Sequence, residues 1–333
     1  MFHRKRRKGV NLIGSSALHQ HTLYLITPTL FFLSAISTVV PSAAKQLPVV
    51  VAADGVLCDL SRTLAGNQVQ VVCLVPPGAD PHSFVLKPSD RRSLDLARLI
   101  LINGYGLTPT LRKIRDVSTV VPVAERAVPQ NQANSDPHVW HDPAQAKAML
   151  MVVRNHLQML VGPNRKQAKE LQRRAWAAAN VLDDLADWTT DQISTVPKTK
   201  RVLVSEHRAF SAFARRYDIR EVPLIDDYTT GGMLRPDTLR KITKSVRASG
   251  TQVLFAEALP PSKILSRMSQ SSAIPVASAA LVADGLASGR SLIQTATDNV
   301  CTFVTAQGGR CDNKGAGVLQ QRWATLHVNP APM

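Results

Sequence analysis

Nine histidines occur in the chain, and six of them lie beyond residue 44. Four of those six fall where short apolar runs give way to helical stretches. His82 sits in Pro76-Pro77-Gly78-Ala79-Asp80-Pro81-His82-Ser83-Phe84, directly after an apolar run. His138 and His141 share Asp136-Pro137-His138-Val139-Trp140-His141-Asp142-Pro143, and His207 sits in Ser205-Glu206-His207-Arg208-Ala209-Phe210. Neutral imidazole is a preferred ligand for zinc and other transition ions, and three imidazoles with one carboxylate close a tetrahedral site. One histidine in a turn is more often a satisfied polar group than a ligand. Three at equivalent positions in two halves of a chain make a joint case for metal. His156, inside an amphipathic helix, and His327, near the end of the chain, read as ordinary structural residues.

Histidines this far apart need a frame that brings their turns together. Apolar runs at 48–53, 70–75, 99–102 and 120–123 read as buried strands, with helices at 55–66 and 88–96 between them. A second set follows, with strands at 201–204, 221–224 and 253–256 and helices at 209–217, 236–248 and 261–270. Strands that are apolar throughout and separated by helices argue for parallel sheets covered on both faces. In open sheets of that kind, ligands bind beyond the carboxyl ends of the strands, where these histidines fall. Between the two sets, a helical stretch from about 164 to 194 carries Leu171, Ala175, Ala178, Leu182 and Leu185 on one stripe. A helix of that length reaches roughly 45 Å, more than one lobe of this size needs. The expected fold class is therefore α/β with two lobes, each a parallel sheet flanked by helices, joined by one long linking helix. The divisions are a signal peptide at 1–44, a first lobe at 45–160, the linking helix at 161–197 and a second lobe at 198–311. The tail at 312–333 reads as a frayed end.

The amino terminus supplies the compartment. Arg4, Lys5, Arg6, Arg7 and Lys8 precede an apolar stretch that runs to Val40, and small residues follow at Ser42 and Ala44. Basic, apolar and small-residue regions in this order spell a cleavable secretory signal peptide. No Cys follows the apolar region at a lipid-attachment position, so a soluble periplasmic protein is expected. Removing 1–44 takes five positive charges from the formal net charge of +16, leaving 16 − 5 = +11. The remaining basic residues are spread along helix-like segments rather than gathered in a stripe, and no nucleic-acid partner is expected. In an oxidising compartment four cysteines suggest disulfides, with Cys301 and Cys311 a plausible local bridge and Cys58 and Cys73 a possible second one. No Cys-x-x-Cys is present.

Five motifs, in order along most of the chain, carry a family resemblance. They are PPGADPHSF at 76–84, DPHVWHDP at 136–143, SEHRAFSAFARRYDI at 205–219, FAEALPPSKI at 255–264 and LVADGL at 281–286. The stretch from about 48 to 305 resembles the zinc/manganese ABC-transporter solute-binding proteins, the ZnuA/TroA-like family. The resemblance implies two α/β lobes with a divalent ion clamped between them by His82, His138, His207 and Asp284. It also implies a hydrogen-bonding, supporting role for Glu257. Two positions bear on the pattern: His141 stands where the family is usually apolar and could be an alternative ligand, and Glu206 could replace His207 if the turn shifted by one residue.

Three imidazoles and one carboxylate favour Zn2+ over the harder Mn2+, which remains the alternative. The function implied is capture of the ion and its delivery to an ABC transporter membrane permease, with no enzymatic activity and no stable oligomer. A zinc-dependent hydrolase is the competing class. It would use the same three histidines with Glu206 or Glu257 as base, but the chain lacks His-Glu-x-x-His and Asp284 would fill the position that a catalytic water needs. A basic surface-binding protein or adhesin is a third class, resting on charge alone.

Overall fold

The computed structural model describes residues 46–114, 118–131, 135–162, 165–228, 230 and 236–327. The expected signal peptide lies outside them. Among the described residues, no helix is long and apolar enough to cross a membrane. The first half runs β1 (Val49–Ala52), α1 (Gly55–Ala65), β2 (Gln70–Cys73), α2 (Pro88–Leu96), β3 (Leu99–Ile102), β4 (Val120–Pro122), α3 (Val123–Ala127) and α4 (Pro143–Val161). Then come α5 (Arg165–Ser194), β5 (Val202–His207), α6 (Ser211–Arg216), β6 (Arg220–Ile225), α7 (Pro236–Ala248), α8 (Lys263–Ser272), α9 (Leu292–Ala306) and α10 (Asn313–Ala324).

The first lobe is a four-stranded parallel sheet in the order β2-β1-β3-β4. Because side chains alternate across a strand, Val50 and Ala52 enter one core while Val51 and Ala53 enter another on the opposite face. Both faces are covered, which is why the strands read as uninterrupted apolar runs. Local capping places the helices after the strands. Asp54 accepts from the Leu57 N–H at 3.0 Å to start α1, and Asp142 accepts from Ala144 at 2.9 Å with Pro143 at the first helical position of α4.

The linking helix is found where its stripe placed it, as the 30-residue α5. It packs against α1, α4, α9 and α10. Its buried stripe, including Leu171, Ala178, Leu182 and Leu185, joins residues of the first sheet such as Leu101 to second-lobe residues such as Leu203 and Phe303 in one continuous core. The second lobe has its own smaller core as well, with Val204, Leu224, Val246, Leu254 and Leu265.

Two expectations are corrected here. The strand expected at 253–256 is reduced to an isolated bridge between Leu254 and Val276, so the regular second sheet is the parallel pair β5-β6. The segment still lies beside β5, with the Phe255 N–H donating to the Val204 carbonyl at 2.9 Å. Its apolar side chains are buried, which a strand and a buried loop share, so burial alone did not distinguish them. Within the expected tail, residues 313–324 are not a frayed end, because α10 spans Asn313–Ala324 and buries Trp323 completely. Trp323 Nε1 donates to Asp59 on α1 at 2.9 Å, and the same carboxylate oxygen accepts from the Leu292 N–H at the start of α9 at 3.0 Å. Its glycines made the segment read as loop, but tertiary burial of one aromatic side chain outweighs weak helix propensity.

Both disulfides are formed. Cys58–Cys73 joins α1 to the end of β2 with 5.6 Å between the α-carbons, and Cys301–Cys311 joins α9 to the approach to α10 with 5.2 Å. We predict that Trp323→Ala lowers the free energy of unfolding by about 3–5 kcal/mol, the usual cost of truncating a buried aromatic. An unchanged denaturant midpoint would show that α10 contributes nothing to the fold.

Candidate metal centre

Four donor atoms from chain-distant segments converge. His82, His138, His207 and Asp284 each offer one atom, and all four lie within 4.8 Å of one another. His82 Nε2 and His138 Nε2 are 3.3 Å apart, and each is 3.1 Å from Asp284 Oδ1. His207 Nε2 stands 3.6 Å from the same oxygen. A tetrahedron with metal–nitrogen bonds of about 2.0 Å has edges of about 3.3 Å, so these spacings suit donors around a single ion. His207 Nε2 is buried without a hydrogen-bond partner, as an atom aimed at a missing ligand would be.

Each donor is placed by a specific local device. The tripeptide Asp-Pro-His occurs twice, at 80–82 and 136–138, and makes the same turn both times. The aspartate Oδ1 accepts from the histidine backbone N–H, at 2.7 Å for Asp80 and 3.0 Å for Asp136. Asp136 does more, since its Oδ1 also lies 3.1 Å from His138 Nδ1. Asn103, just beyond β3, donates to the Pro137 carbonyl at 2.9 Å and pins this turn to the sheet. His207 ends β5, where the Glu257 carboxylate grips it twice, accepting from its backbone N–H at 2.9 Å and bonding its Nδ1 at 2.8 Å. A carboxylate only accepts, so Nδ1 carries the hydrogen in both His138 and His207. Their Nε2 lone pairs are thereby directed at the cluster whenever the rings are neutral.

The other candidates fall outside the four. Glu257 takes the supporting position described above. The Glu206 carboxylate accepts from the Glu257 N–H at 3.4 Å rather than joining the donors, and burial pushes its pKa up. His141 Nε2 bonds the Ala283 carbonyl at 2.8 Å, and burial pushes its imidazole down to about 4, so it is a neutral donor at pH 7. His156 is engaged on the surface by Arg126 and the Val152 carbonyl, and His327 by Thr63 and Asp59. Sequence reasoning missed the part played by Asp136. The repeated Asp-Pro-His was the available signal.

Electrostatics favour a separated charge pair in the metal-free cluster. Burial alone would lower the pKa of His207, but the Asp284 and Glu257 carboxylates push it up to about 10. His138 is likewise raised, its burial outweighed by Asp136 and Asp284. Burial would raise Asp284, and the three imidazoles instead hold it well below the usual carboxylate range. At neutral pH the pocket therefore holds a carboxylate facing imidazolium, and a cation entering it takes the place of protons.

Two lobes, a shared core and a buried donor cluster drawn from both sides form the frame of a metal-binding protein, and the family that the chain matches is one of substrate-binding transport proteins rather than enzymes. The chain belongs to the family described as zinc-uptake complex component A, periplasmic, whose model matches residues 50–306. It is 26% identical over 252 residues to the metal ABC transporter substrate-binding lipoprotein SloC of Streptococcus mutans, covering 71% of this chain and 81% of that one. It is 25% identical over 236 residues to the manganese-binding lipoprotein MntA of Halalkalibacterium halodurans, covering 68% and 77%. Among solved structures, Fe(III)-bound YtgA from Chlamydia trachomatis superposes with a TM-score of 0.73 at 23% identity, covering 80% of this chain and all of that one.

Imidazole binds a metal only through a deprotonated nitrogen, so the raised pKa values of His207 and His138 mean that metal binding expels protons. For each proton expelled, affinity falls up to tenfold per pH unit below the folded-state pKa. We predict that zinc binds more tightly at pH 7.5 than at 5.5, and that calorimetry in buffers of different ionisation enthalpy shows proton release at pH 7.5. Equal affinity at the two pH values would count against a site built from these histidines.

Proposed function

We propose that this protein is the periplasmic solute-binding component of an ABC-type uptake system, carrying Zn2+ to a membrane permease. The ion would be held in the cleft between a first lobe at 45–160 and a second at 198–311. His82 and His138 come from the first, and His207 and Asp284 from the second. The observation that carries this reading is the convergence of those four donor atoms, from both lobes, on one point. The expected signal peptide and the two disulfides fit an exported protein in an oxidising compartment.

Zinc is favoured by the donor chemistry. Three imidazoles with a single carboxylate oxygen suit zinc in tetrahedral geometry, whereas manganese prefers a harder, oxygen-rich set. The family description names zinc, which accords with that choice. The similarity to a relative named as manganese-binding keeps Mn2+ as the second reading. Capture follows when the neutral rings and the carboxylate close on the ion. Release follows when the lobes part and the donor set divides.

Competitive titration of metal-free protein with zinc and manganese tests the assignment. The expected result is one zinc per chain that manganese at equal concentration does not displace. Preferential retention of manganese would move the cargo assignment while leaving the site. His207→Ala is expected to weaken zinc binding by at least about a hundredfold, in line with loss of one metal-bound donor and its support, and unchanged affinity would remove His207 from the donor set.

A further inference from the structure

The segment that carries Asp284 is anchored on both sides of the cleft. Its own lobe holds it at Val282, whose N–H and carbonyl both bond the Asn299 side chain on α9 at 2.8 Å. Beyond that point the partners belong to the first lobe. His141 bonds the Ala283 carbonyl at 2.8 Å, one residue before Asp284. The Gly78 N–H donates to the Leu286 carbonyl at 2.7 Å, two residues after it. Gly78 has a φ of +87°, and a Cβ there would come within 3.0 Å of Ser288, so the approach of the two loops depends on glycine. First-lobe groups thus take hold of the backbone on either side of the carboxylate.

His141 reaches the second donor loop as well. Its ring lies 4.7 Å from that of Phe210, three residues after His207. The space around it is an apolar pocket lined by Trp140, Phe210, Leu281 and Leu286. A hydrocarbon side chain would fill that pocket as well as an imidazole does. What it would lack is the N–H that a carbonyl requires, since a carbonyl only accepts. The chain therefore places a polar donor in an apolar pocket where packing does not call for one, at a point that touches both second-lobe donor loops.

We propose that His141 is a positioning residue, an interlobe latch that holds Asp284 in place through the Ala283 carbonyl. It is not itself a ligand, because its Nε2 is committed to that carbonyl. Opening the cleft breaks the latch and the Gly78 bond together, so lobe separation and withdrawal of the Asp284 carboxylate become one event. The inference rests on the reading of Asp284 as a ligand. An ion held by three imidazoles alone has a coordination position open to water or to a competing chelator, and leaves sooner.

The test is the rate at which zinc-loaded protein loses its metal to excess EDTA, compared among wild type, His141→Leu, His141→Gln and Asp284→Ala. Leucine fills the pocket without donating, whereas glutamine places an amide N–H near the position of Nε2. We expect His141→Leu to release zinc about tenfold faster, the scale of one lost hydrogen bond, and His141→Gln to restore the slow rate. Release from His141→Leu at the wild-type rate, or equally fast release from the leucine and glutamine variants, would overturn the latch. If Asp284→Ala releases zinc no faster than wild type, the failure is instead in the ligand assignment beneath it.

Discussion

One oxygen atom, Oδ1 of Asp284, stands within 3.6 Å of three imidazole nitrogens drawn from three separate turns. Bringing those rings together costs desolvation and, when they are protonated, mutual repulsion. The carboxylate offsets both, which is why its own pKa is driven down while those of His138 and His207 rise. Asp136 and Glu257 extend the same arrangement outward, since each bonds the far nitrogen of one ring and fixes the direction of the near one. A buried polar cluster is tolerable only when its members satisfy one another, and this one leaves His207 Nε2 to be satisfied by something else.

Such a cluster needs rigid supports, and the shared core provides them. α5 buries its stripe against helices of both lobes, so the two sheets are not independent bodies on a flexible string. Asp59 reinforces this from α1, bonding the start of α9 and Trp323 of α10 across the molecule. The other contacts between the two sides are made by loops at the ends of the elements. Those loops carry the donors, and the backbone bonds around Asp284 cross directly between them.

Much of this was legible in the chain. Parallel strands were readable because runs such as Leu99-Ile100-Leu101-Ile102 are apolar at every position, which only a sheet buried on both faces requires. The long helix was readable because its stripe, from Leu171 to Leu185, persists across about four turns. The candidate donors were readable because each histidine falls in a turn or at a strand end rather than on a periodic apolar face. The five family motifs then pointed to Asp284, which no periodicity singled out. Each of these signals is local, fixed by residue type and spacing within a few turns of chain.

Other features had no local signal. Whether residues 253–256 pair as a strand depends on what lies beside them, and here the ladder dwindles to a single bridge. Whether residues 313–324 form a helix was decided by a pocket for Trp323 built from α1, more than 250 residues away. The position of His141, neither ligand nor bystander, follows from a carbonyl 142 residues further on. Residue types and spacing determine the elements, the candidate donors and the chemistry they offer. Only the tertiary structure decides which donors meet, which carboxylates orient them and which lobe holds the loop of Asp284, because those contacts join segments whose separation in the chain carries no information about their distance in space.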